Sequence, residues 1–322
     1  MSDLEMAAAT EVPSHVGGGF RPTGPDESPD AGPTGGDRPR SLAGDAWRDL
    51  RRNWVFWVAS ALVVLVVTMA GAPQIFTSAD PHDCTTRRQH AGPAGAAIFG
   101  YDYQGCDVFA RTVHGARASV LVGVLAVLLA GAIGLVVGML AGYYGRWLDA
   151  ILSRIVDVVL GIPLLLAAIV LSKRLTADRQ GSGVASVVIV LGILGWTTAA
   201  RVMRSSVIAA RGQDYVAAAR MLGASHLRIM VRHILPNALA PFIVVLTIAL
   251  GTFIATEATL SFLDIGLRPP AISWGTDIAT AGKHVREAAL PLVAPSVFLA
   301  LTVLGFIMLG DAIRDAFDPK LR

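Results

Sequence analysis

The chain has 322 residues, of which 53% are hydrophobic and 16% are charged, and its formal net charge is +3. This charged fraction is low for a soluble globular protein, and the small positive balance is spread over several loops, so nothing indicates nucleic-acid binding. Several uncharged apolar runs reach the roughly 20 residues that a membrane helix needs. Because these runs are continuous and not alternating, they predict an all-α polytopic membrane protein and exclude a β-barrel.

The N-terminal segment, residues 1–44, is rich in Gly, Pro, Asp, Ser and Thr and almost free of large apolar side chains. Such a segment cannot bury enough surface to offset its ordering entropy, so we predict a disordered tail. It lacks the basic-then-apolar pattern of a signal peptide. Arg48, Arg51 and Arg52 precede the first apolar run, which favours a cytoplasmic N-terminus.

Six apolar segments are predicted to cross the membrane as helices within a transmembrane domain that covers residues 45–322. Basic residues fall on both sides of this arrangement, so the charge bias alone does not fix its orientation. An even number of spans puts both termini on the same side. The approximate bounds of the spans are 54–75, 118–143, 148–171, 184–200, 236–262 and 288–310.

The polar loop between the first two spans holds both cysteines of the chain, Cys84 and Cys106. An even cysteine count in a segment predicted to lie outside indicates a disulfide, with two unpaired thiols as the alternative.

Two carboxylates fall within predicted spans, Asp157 in the third and Glu257 in the fifth. A charge in the membrane interior costs roughly 3 kcal/mol on insertion scales unless it is paired or hydrated. For each residue two interpretations stay open: it lies on a translocation path, or it belongs to an internal polar network that holds the helices together.

The loop between the fourth and fifth spans, residues 211–235, carries the most specific pattern, and we call it the docking segment. Two sets of apolar residues at helical spacing flank Gly223, which predicts two amphipathic helices joined by a left-handed turn. Ser225 is placed to cap the second helix, and Pro236 marks where this helix gives way to the next span. Neither helix is long enough to be stable alone in water, so each is expected to dock on a surface. The two sets are Tyr215, Ala218, Ala219 and Leu222, then Leu227, Met230, Val231 and Ile234.

The order A-A-x-x-x-G that starts at Ala218, followed by Leu-Pro at 235–236, resembles the EAA loop of permease subunits in binding-protein-dependent ABC importers. More narrowly, VAAARMLGAS…VRHILPNALAP is similar to the second permease subunit, the C subunit, of dipeptide and oligopeptide importers. The stretches LDAILSRIVDVVLGIP, TEATLSFLDIG, RPPAISWGTDIA and GDAIRDAFDPKLR resemble the same family, so the resemblance covers residues 45–322. Ala217 stands where the general pattern has Glu, so a Glu-based contact to the ATPase is not expected.

This resemblance implies the ABC type I importer permease fold, in which the chain forms half of a translocation path for short peptides. It implies a heterodimer with a second homologous permease, two cytoplasmic ATP-binding subunits, an extracytoplasmic substrate-binding protein and surrounding membrane lipid. It also implies the bacterial plasma (inner) membrane, with both termini cytoplasmic. The residues expected to contact the ATPases are Tyr215, Ala218, Ala219, Arg220, Leu222, Gly223, Ala224, Leu227, Arg228 and Met230.

Sequence motifs of catalysis are absent, since the chain has no P-loop, no H-E-x-x-H, no G-x-S-x-G and no clustered Cys/His set. We therefore expect no enzymatic activity and no cofactor on this chain, with ATP and magnesium held by partner subunits. Relatives of the same branch carry nickel complexes, haem or other small solutes, which are alternative cargoes. The alternatives from other classes are a proton-coupled secondary transporter that uses Asp157 and Glu257 and a non-transporting membrane scaffold, although no inverted repeat supports the former.

Overall fold

The computed structural model describes residues 42–95, 97–177 and 183–317. The predicted disordered tail, residues 1–44, lies outside the described residues except for its last three. Every regular element in the described ranges is helical, and two short 3₁₀ helices, Pro73–Ile75 and Thr86–Arg88, occur in the loop after α2. The helices are α1 Leu42–Arg52, α2 Trp54–Gly71, α3 Val108–Tyr144, α4 Arg146–Gly161, α5 Leu164–Ala177, α6 Val184–Arg211, α7 Asp214–Met221, α8 His226–Arg228, α9 Leu235–Phe262, α10 Trp274–Gly282 and α11 Leu290–Phe317.

Five helices in the described part of the chain are long and apolar enough to cross a membrane: α2, α3, α6, the continuous helix 226–262 and α11. The pair α4 and α5 passes the same test only when the two helices are taken together, and it brings the number of spans to six when the bent pair is counted as one span. The predicted class, an all-α polytopic membrane protein with six spans, is thereby confirmed.

The third span differs from the continuous helix that we predict over residues 148–171. It consists of α4 and α5, which meet at an angle of 87°. Pro163 has no amide hydrogen and disfavours the helical conformation at the residue before it. Ile162 is accordingly extended, with φ −86° and ψ 123°, and the chain turns there.

Helices α3 and α6 pack closely because glycines on α3 leave room for the backbone of α6. A Cβ atom added at Gly138 would lie 2.5 Å from the carbonyl oxygen of Ala200, and one at Gly142 would lie 2.8 Å from Cβ of Val207. Small residues of this kind are the usual means by which membrane helices approach each other.

The bundle has two ends, which we name by what they carry. The docking end carries the docking segment, α1 and the last turns of α11, and the loop end carries the loops 72–107 and 263–289. At the loop end, Cys84 and Cys106 form a disulfide. The fully buried Trp274 donates its indole N–H to the Thr112 carbonyl oxygen at 2.8 Å, which fastens α10 to α3.

We predict that Gly138→Leu destabilises the bundle by about 1–3 kcal/mol, because the added side chain forces α3 and α6 apart. Thermal unfolding of the purified protein in detergent should show a lowered midpoint. Gly71→Leu is the matched control, since nothing lies within 4 Å of a Cβ added there. Equal midpoints for the two variants would contradict the close α3–α6 contact.

Candidate functional site

The docking segment begins as a separate short helix followed by a tight turn. Helix α7 ends at Met221, and Gly223 adopts φ +79°, a left-handed conformation that glycine takes without steric cost. The amide of Ala224 donates to the carbonyl oxygen of Ala219 at 3.1 Å, which closes the end of the helix. Ser225 then caps the next helix by accepting a hydrogen bond from the Arg228 amide at 3.4 Å.

The second helix of the docking segment continues into the fifth span without a break, from His226 to Phe262. Pro236 lies in the first turn of α9, so the second helix gives way to the span at the predicted place, but without a break. A π-helical turn over Ile229–Ile234 precedes the proline, and the Leu235 amide bonds to the Met230 carbonyl, five residues back. The wider π turn moves the preceding carbonyl groups away from the proline ring, with which they would otherwise clash. The helix therefore accommodates Pro236.

One face of the docking segment is buried against the protein's own α3 and α6. Met230 and Ala219, which we expect to contact an ATPase, lie on this inner face and are each only 8% exposed. The inward positions of this stretch are Ile229, Met230, Ile234 and Ala238, whereas Leu227 and Val231 lie outside. The docking-segment residues in this cluster are Val216, Ile229, Met230 and Ile234, packed with Met139, Tyr143, Met203 and Val207.

The opposite face of the docking segment is apolar and open. Leu222 is 88% exposed and Leu227 is 67% exposed, and both are among the predicted contact residues. Met221, beside Leu222 in the chain, is also exposed, at 84%, although it lies outside the apolar positions that helical spacing singles out. We call Met221, Leu222 and Leu227 the exposed patch. The other predicted contact residues are exposed at Tyr215, Ala218, Arg220, Gly223 and Arg228 and half-buried at Ala224.

Polar contacts fasten the docking segment to the end of α3. The Tyr143 hydroxyl oxygen lies 2.7 Å from Nδ1 of His226. Arg211, the last residue of α6, donates to the carbonyl oxygens of Tyr143 at 2.6 Å and of Gly142 at 3.3 Å. These carbonyls belong to the last turn of α3, which has no intrahelical donor for them. None of the three side chains stands out in the sequence, because their partners are more than 60 residues away.

The carboxylate of Asp157 is paired across the bundle with Arg201, at 2.7 Å, and both side chains are about half exposed. Nearer the docking end, the guanidinium of Arg204 binds both carboxylate oxygens of Asp149, at 2.5 and 2.7 Å. The two pairs link α4 to α6, and Asp157, Arg201 and Arg204 line a cavity of about 370 Å³. Asp157 is thus both an ion-pair partner and a lining residue, so the two interpretations are compatible for it.

Glu257 is completely buried, in a cluster of hydroxyl groups near the loop end. Ser261 donates to its Oε1 at 2.8 Å, and the hydroxyls of Ser119 and Ser273 also face the carboxylate. The Ser261 oxygen in turn accepts a hydrogen bond from the Leu267 amide at 3.0 Å. Because these groups come from α3, α9 and the start of α10, the geometry favours the internal network over the translocation path for Glu257.

A larger cavity of about 530 Å³ lies in the middle of the bundle. Its wall is mainly apolar and comes from α3, α6, α9 and the α4–α5 bend, with Ile162 and Pro163 at its edge. In the described ranges, no three His, Cys, Asp or Glu side chains are grouped so that they could hold a metal ion.

A polytopic helical bundle with an exposed apolar segment at one end is the architecture of a membrane protein that binds a partner at that end. Residues 134–322 match the family described as the inner membrane component of binding-protein-dependent transport systems. The matched family places the chain among the subunits of membrane transport systems. Residues 41–93 match the N-terminal transmembrane domain of oligopeptide transport permease C. The chain belongs to this family of permease subunits, as its resemblance predicts.

Individual relatives agree with the family assignment over most of the chain. The dipeptide transport system permease protein DppC of Alkalihalophilus pseudofirmus is 36% identical over 278 residues, which are 86% of this chain and 90% of that protein. The oligopeptide transport system permease protein OppC of Bacillus subtilis is 36% identical over 282 residues, or 88% and 91% of the two chains. A chain of the MetNI methionine ABC transporter, solved in inward-facing conformations, is similar in fold, with a TM-score of 0.50, 22% identity and coverage of 64% and 95%.

We predict that Tyr143→Phe loosens the docking segment while the bundle stays folded, because it removes one hydrogen bond worth about 0.5–1.5 kcal/mol. Amide hydrogen exchange should become faster over residues 214–228, with little change in the thermal midpoint. Tyr144→Phe is the matched control, since this neighbouring tyrosine is half-exposed and makes no hydrogen bond within the described ranges. Equal exchange in both variants would show that Tyr143 does not anchor the segment.

Substitutions of Glu257 should separate its two interpretations. Glu257→Leu leaves the surrounding hydroxyls without their acceptor and should cost about 1–3 kcal/mol, whereas Glu257→Gln keeps an oxygen for Ser261 and should unfold near the wild-type midpoint. Thermal unfolding and uptake are measured on both variants. An uptake defect in Glu257→Gln at an unchanged midpoint would place Glu257 on the path instead.

Proposed function

We propose that the chain forms half of the translocation path of an ATP-driven importer of short peptides. It pairs with a second homologous permease and receives its cargo from an extracytoplasmic binding protein. Two cytoplasmic ATPase subunits, which hold the ATP and magnesium, drive the cycle. The complex lies in a bacterial inner membrane, with both termini of this chain in the cytoplasm. Peptide cargo is supported by the names of the dipeptide and oligopeptide permeases to which the chain is similar.

The observation that carries this proposal is the exposed patch on a firmly anchored segment. Leu222 alone is 88% exposed, and Met221 and Leu227 lie in the same segment. Large apolar side chains gathered at one exposed site mark an interaction surface. A short amphipathic helix that presents such residues suits a hydrophobic groove on a partner protein. Arg220 and Arg228, which are also exposed, supply charges that orient the contact.

The docking segment transmits movement because it is rigid at both of its inner connections. The helix from His226 to Phe262 joins it directly to the fifth span. The contacts of Tyr143 and Arg211 join it to the end of α3. Switching a two-state gate almost completely requires about 5.5 kcal/mol of differential binding, which a loosely attached loop could not deliver. When the ATPases close, the segment moves with them and shifts α3 and α9 together.

The central cavity of about 530 Å³ fits a path that contacts its cargo only briefly. Its few polar groups include the hydroxyls of Thr197, Thr198 and Thr252, and the rest of its wall is apolar. Such a wall offers a passing peptide few hydrogen bonds, so it does not trap the peptide. Selection of cargo then rests mainly with the binding protein, which leaves nickel complexes, haem and other small solutes as alternative cargoes.

Two observations speak against the proton-coupled transporter among the alternatives. The chain belongs to a family of binding-protein-dependent systems. Its two intramembrane carboxylates each have a partner, since Asp157 pairs with Arg201 and Oε1 of Glu257 accepts from Ser261, while Oε2 of Glu257 has no hydrogen-bond partner within the described residues. The experiment that distinguishes the classes is uptake in proteoliposomes containing the co-purified complex. Uptake should require ATP hydrolysis and persist when the proton gradient is collapsed.

We predict that Leu222→Asp weakens binding of the ATPase subunits by about 30-fold or more, which corresponds to about 2 kcal/mol for the loss of a central apolar contact. Uptake should fall with it, while the exposed position of the side chain leaves membrane insertion and folding intact. Co-purification of the ATPases and ATP-dependent uptake are the measurements. Leu222→Met is the matched control and should behave like the wild type. Normal ATPase binding by Leu222→Asp would remove the basis for the proposed docking site.

A further inference from the structure

Helix α1 lies at the level where two spans leave the bilayer. It ends at Arg52, and the first span begins two residues later, at Trp54. Leu50 is buried against Ala312 and Ala316 in the last turns of α11. Because α11 is 28 residues long, about 42 Å, it exceeds the roughly 30 Å hydrocarbon core. Its charged residues, Asp311, Arg314 and Asp315, are all in its last turns, so we infer that this end extends into the headgroup layer. Helix α1 is therefore held beside the phospholipid headgroups of the docking end.

Around the α1–α2 junction the chain presents three tryptophans outward. Trp47 is 47% exposed, Trp54 is 71% exposed and Trp57 is 56% exposed. A tryptophan surface of this size is unfavourable in water. Indole rings concentrate at the membrane–water interface because they combine an apolar body with a polar N–H group. These three rings thus define an interfacial belt at the docking end.

Arginine and tryptophan side chains form one connected cluster within this belt. The guanidinium of Arg51 stacks over the Trp47 ring at 4.9 Å, and the Trp57 indole N–H donates to the Arg51 carbonyl oxygen at 3.1 Å. Phe56 packs edge-on against both Trp47 and Trp57. These contacts hold the Arg51 side chain in place, and among the described residues its guanidinium N–H groups make no hydrogen bond.

Neither Arg51 nor Arg52 takes part in an ion pair among the described residues, and both residues are exposed. Guanidinium groups match phosphate oxygens through paired N–H donors. A soluble partner protein would not account for the indole rings at headgroup depth, whereas a phospholipid accounts for both features. The acyl chains contact the outward rings, and the headgroup phosphate meets the arginines.

We propose that α1 and the first turn of α2 form a binding surface for anionic phospholipid headgroups of the leaflet at the docking end, with Arg51 and Arg52 as the phosphate ligands. The arginines contribute charge, and the belt of Trp47, Trp54 and Trp57 sets the depth. Since Leu50 fixes α1 to α11, the bound lipids brace the end of the sixth span. This surface is separate from the docking segment and does not depend on which cargo crosses.

The test uses the full chain, purified with its co-purifying subunits in nanodiscs of phosphatidylcholine with a varied fraction of phosphatidylglycerol. Native mass spectrometry counts the phosphatidylglycerol molecules retained after release, and hydrogen exchange follows residues 42–52. Wild type should retain phosphatidylglycerol in preference to phosphatidylcholine, and its α1 amides should exchange more slowly as the anionic fraction rises. Arg51→Gln with Arg52→Gln should weaken retention roughly 25-fold, or about fivefold per arginine near an anionic surface.

The matched control is Arg87→Gln with Arg286→Gln, which removes the same charge from exposed positions at the loop end. It should retain phosphatidylglycerol like the wild type. Arg51→Lys with Arg52→Lys should keep most of the binding, and an unchanged thermal midpoint in all variants shows that they fold. Equal retention in the glutamine variant at α1 and in the wild type would overturn the proposal, as would an equal loss in the loop-end control.

Discussion

The contact between the docking segment and the end of α3 is the interaction on which a mechanical role depends. Tyr143 and His226 meet at 2.7 Å, and Arg211 occupies carbonyl groups of the last turn of α3 that no helical amide can reach. Because the same segment runs without interruption into the fifth span, two membrane helices are connected to it rigidly. A force applied at the exposed patch therefore reaches the bundle through hydrogen bonds and a continuous backbone.

The inner face of the docking segment packs on the bundle, and the outer face is available to bind a partner. Ile229 and Ile234 are fully buried and hold the segment on the bundle, whereas Leu222 and Leu227 remain open. A helix as short as α7 does not persist in water by itself, so the inner face must be seated before the outer face can be presented. The resulting surface is pre-organised, which lowers the entropy cost of binding a partner.

Much of the architecture follows from composition and spacing alone. Membrane helices must satisfy their backbone hydrogen bonds internally, so long apolar runs predict spans reliably, and the pattern from Ala218 to Gly223 correctly places a short helix and a left-handed turn. The family could also be recognised, because its most specific spacing falls in one contiguous stretch. The bounds are less accurate where charged residues extend a helix past the bilayer. Helix α6 thus continues to Arg211, eleven residues beyond the predicted end of the span.

The sequence by itself determined the class of protein, the number of spans and the position of the docking segment, since these depend on local hydropathy and turn chemistry. Only the tertiary structure decided which side chains face outward. Met230 lies inside, packed in the cluster with residues of α3 and α6, whereas Met221 at the end of α7 lies outside, and Pro236 is accommodated by the π turn that precedes it. The partners of Tyr143, Asp157 and Glu257 were likewise settled by packing, because residues far apart in the chain meet only when the helices assemble.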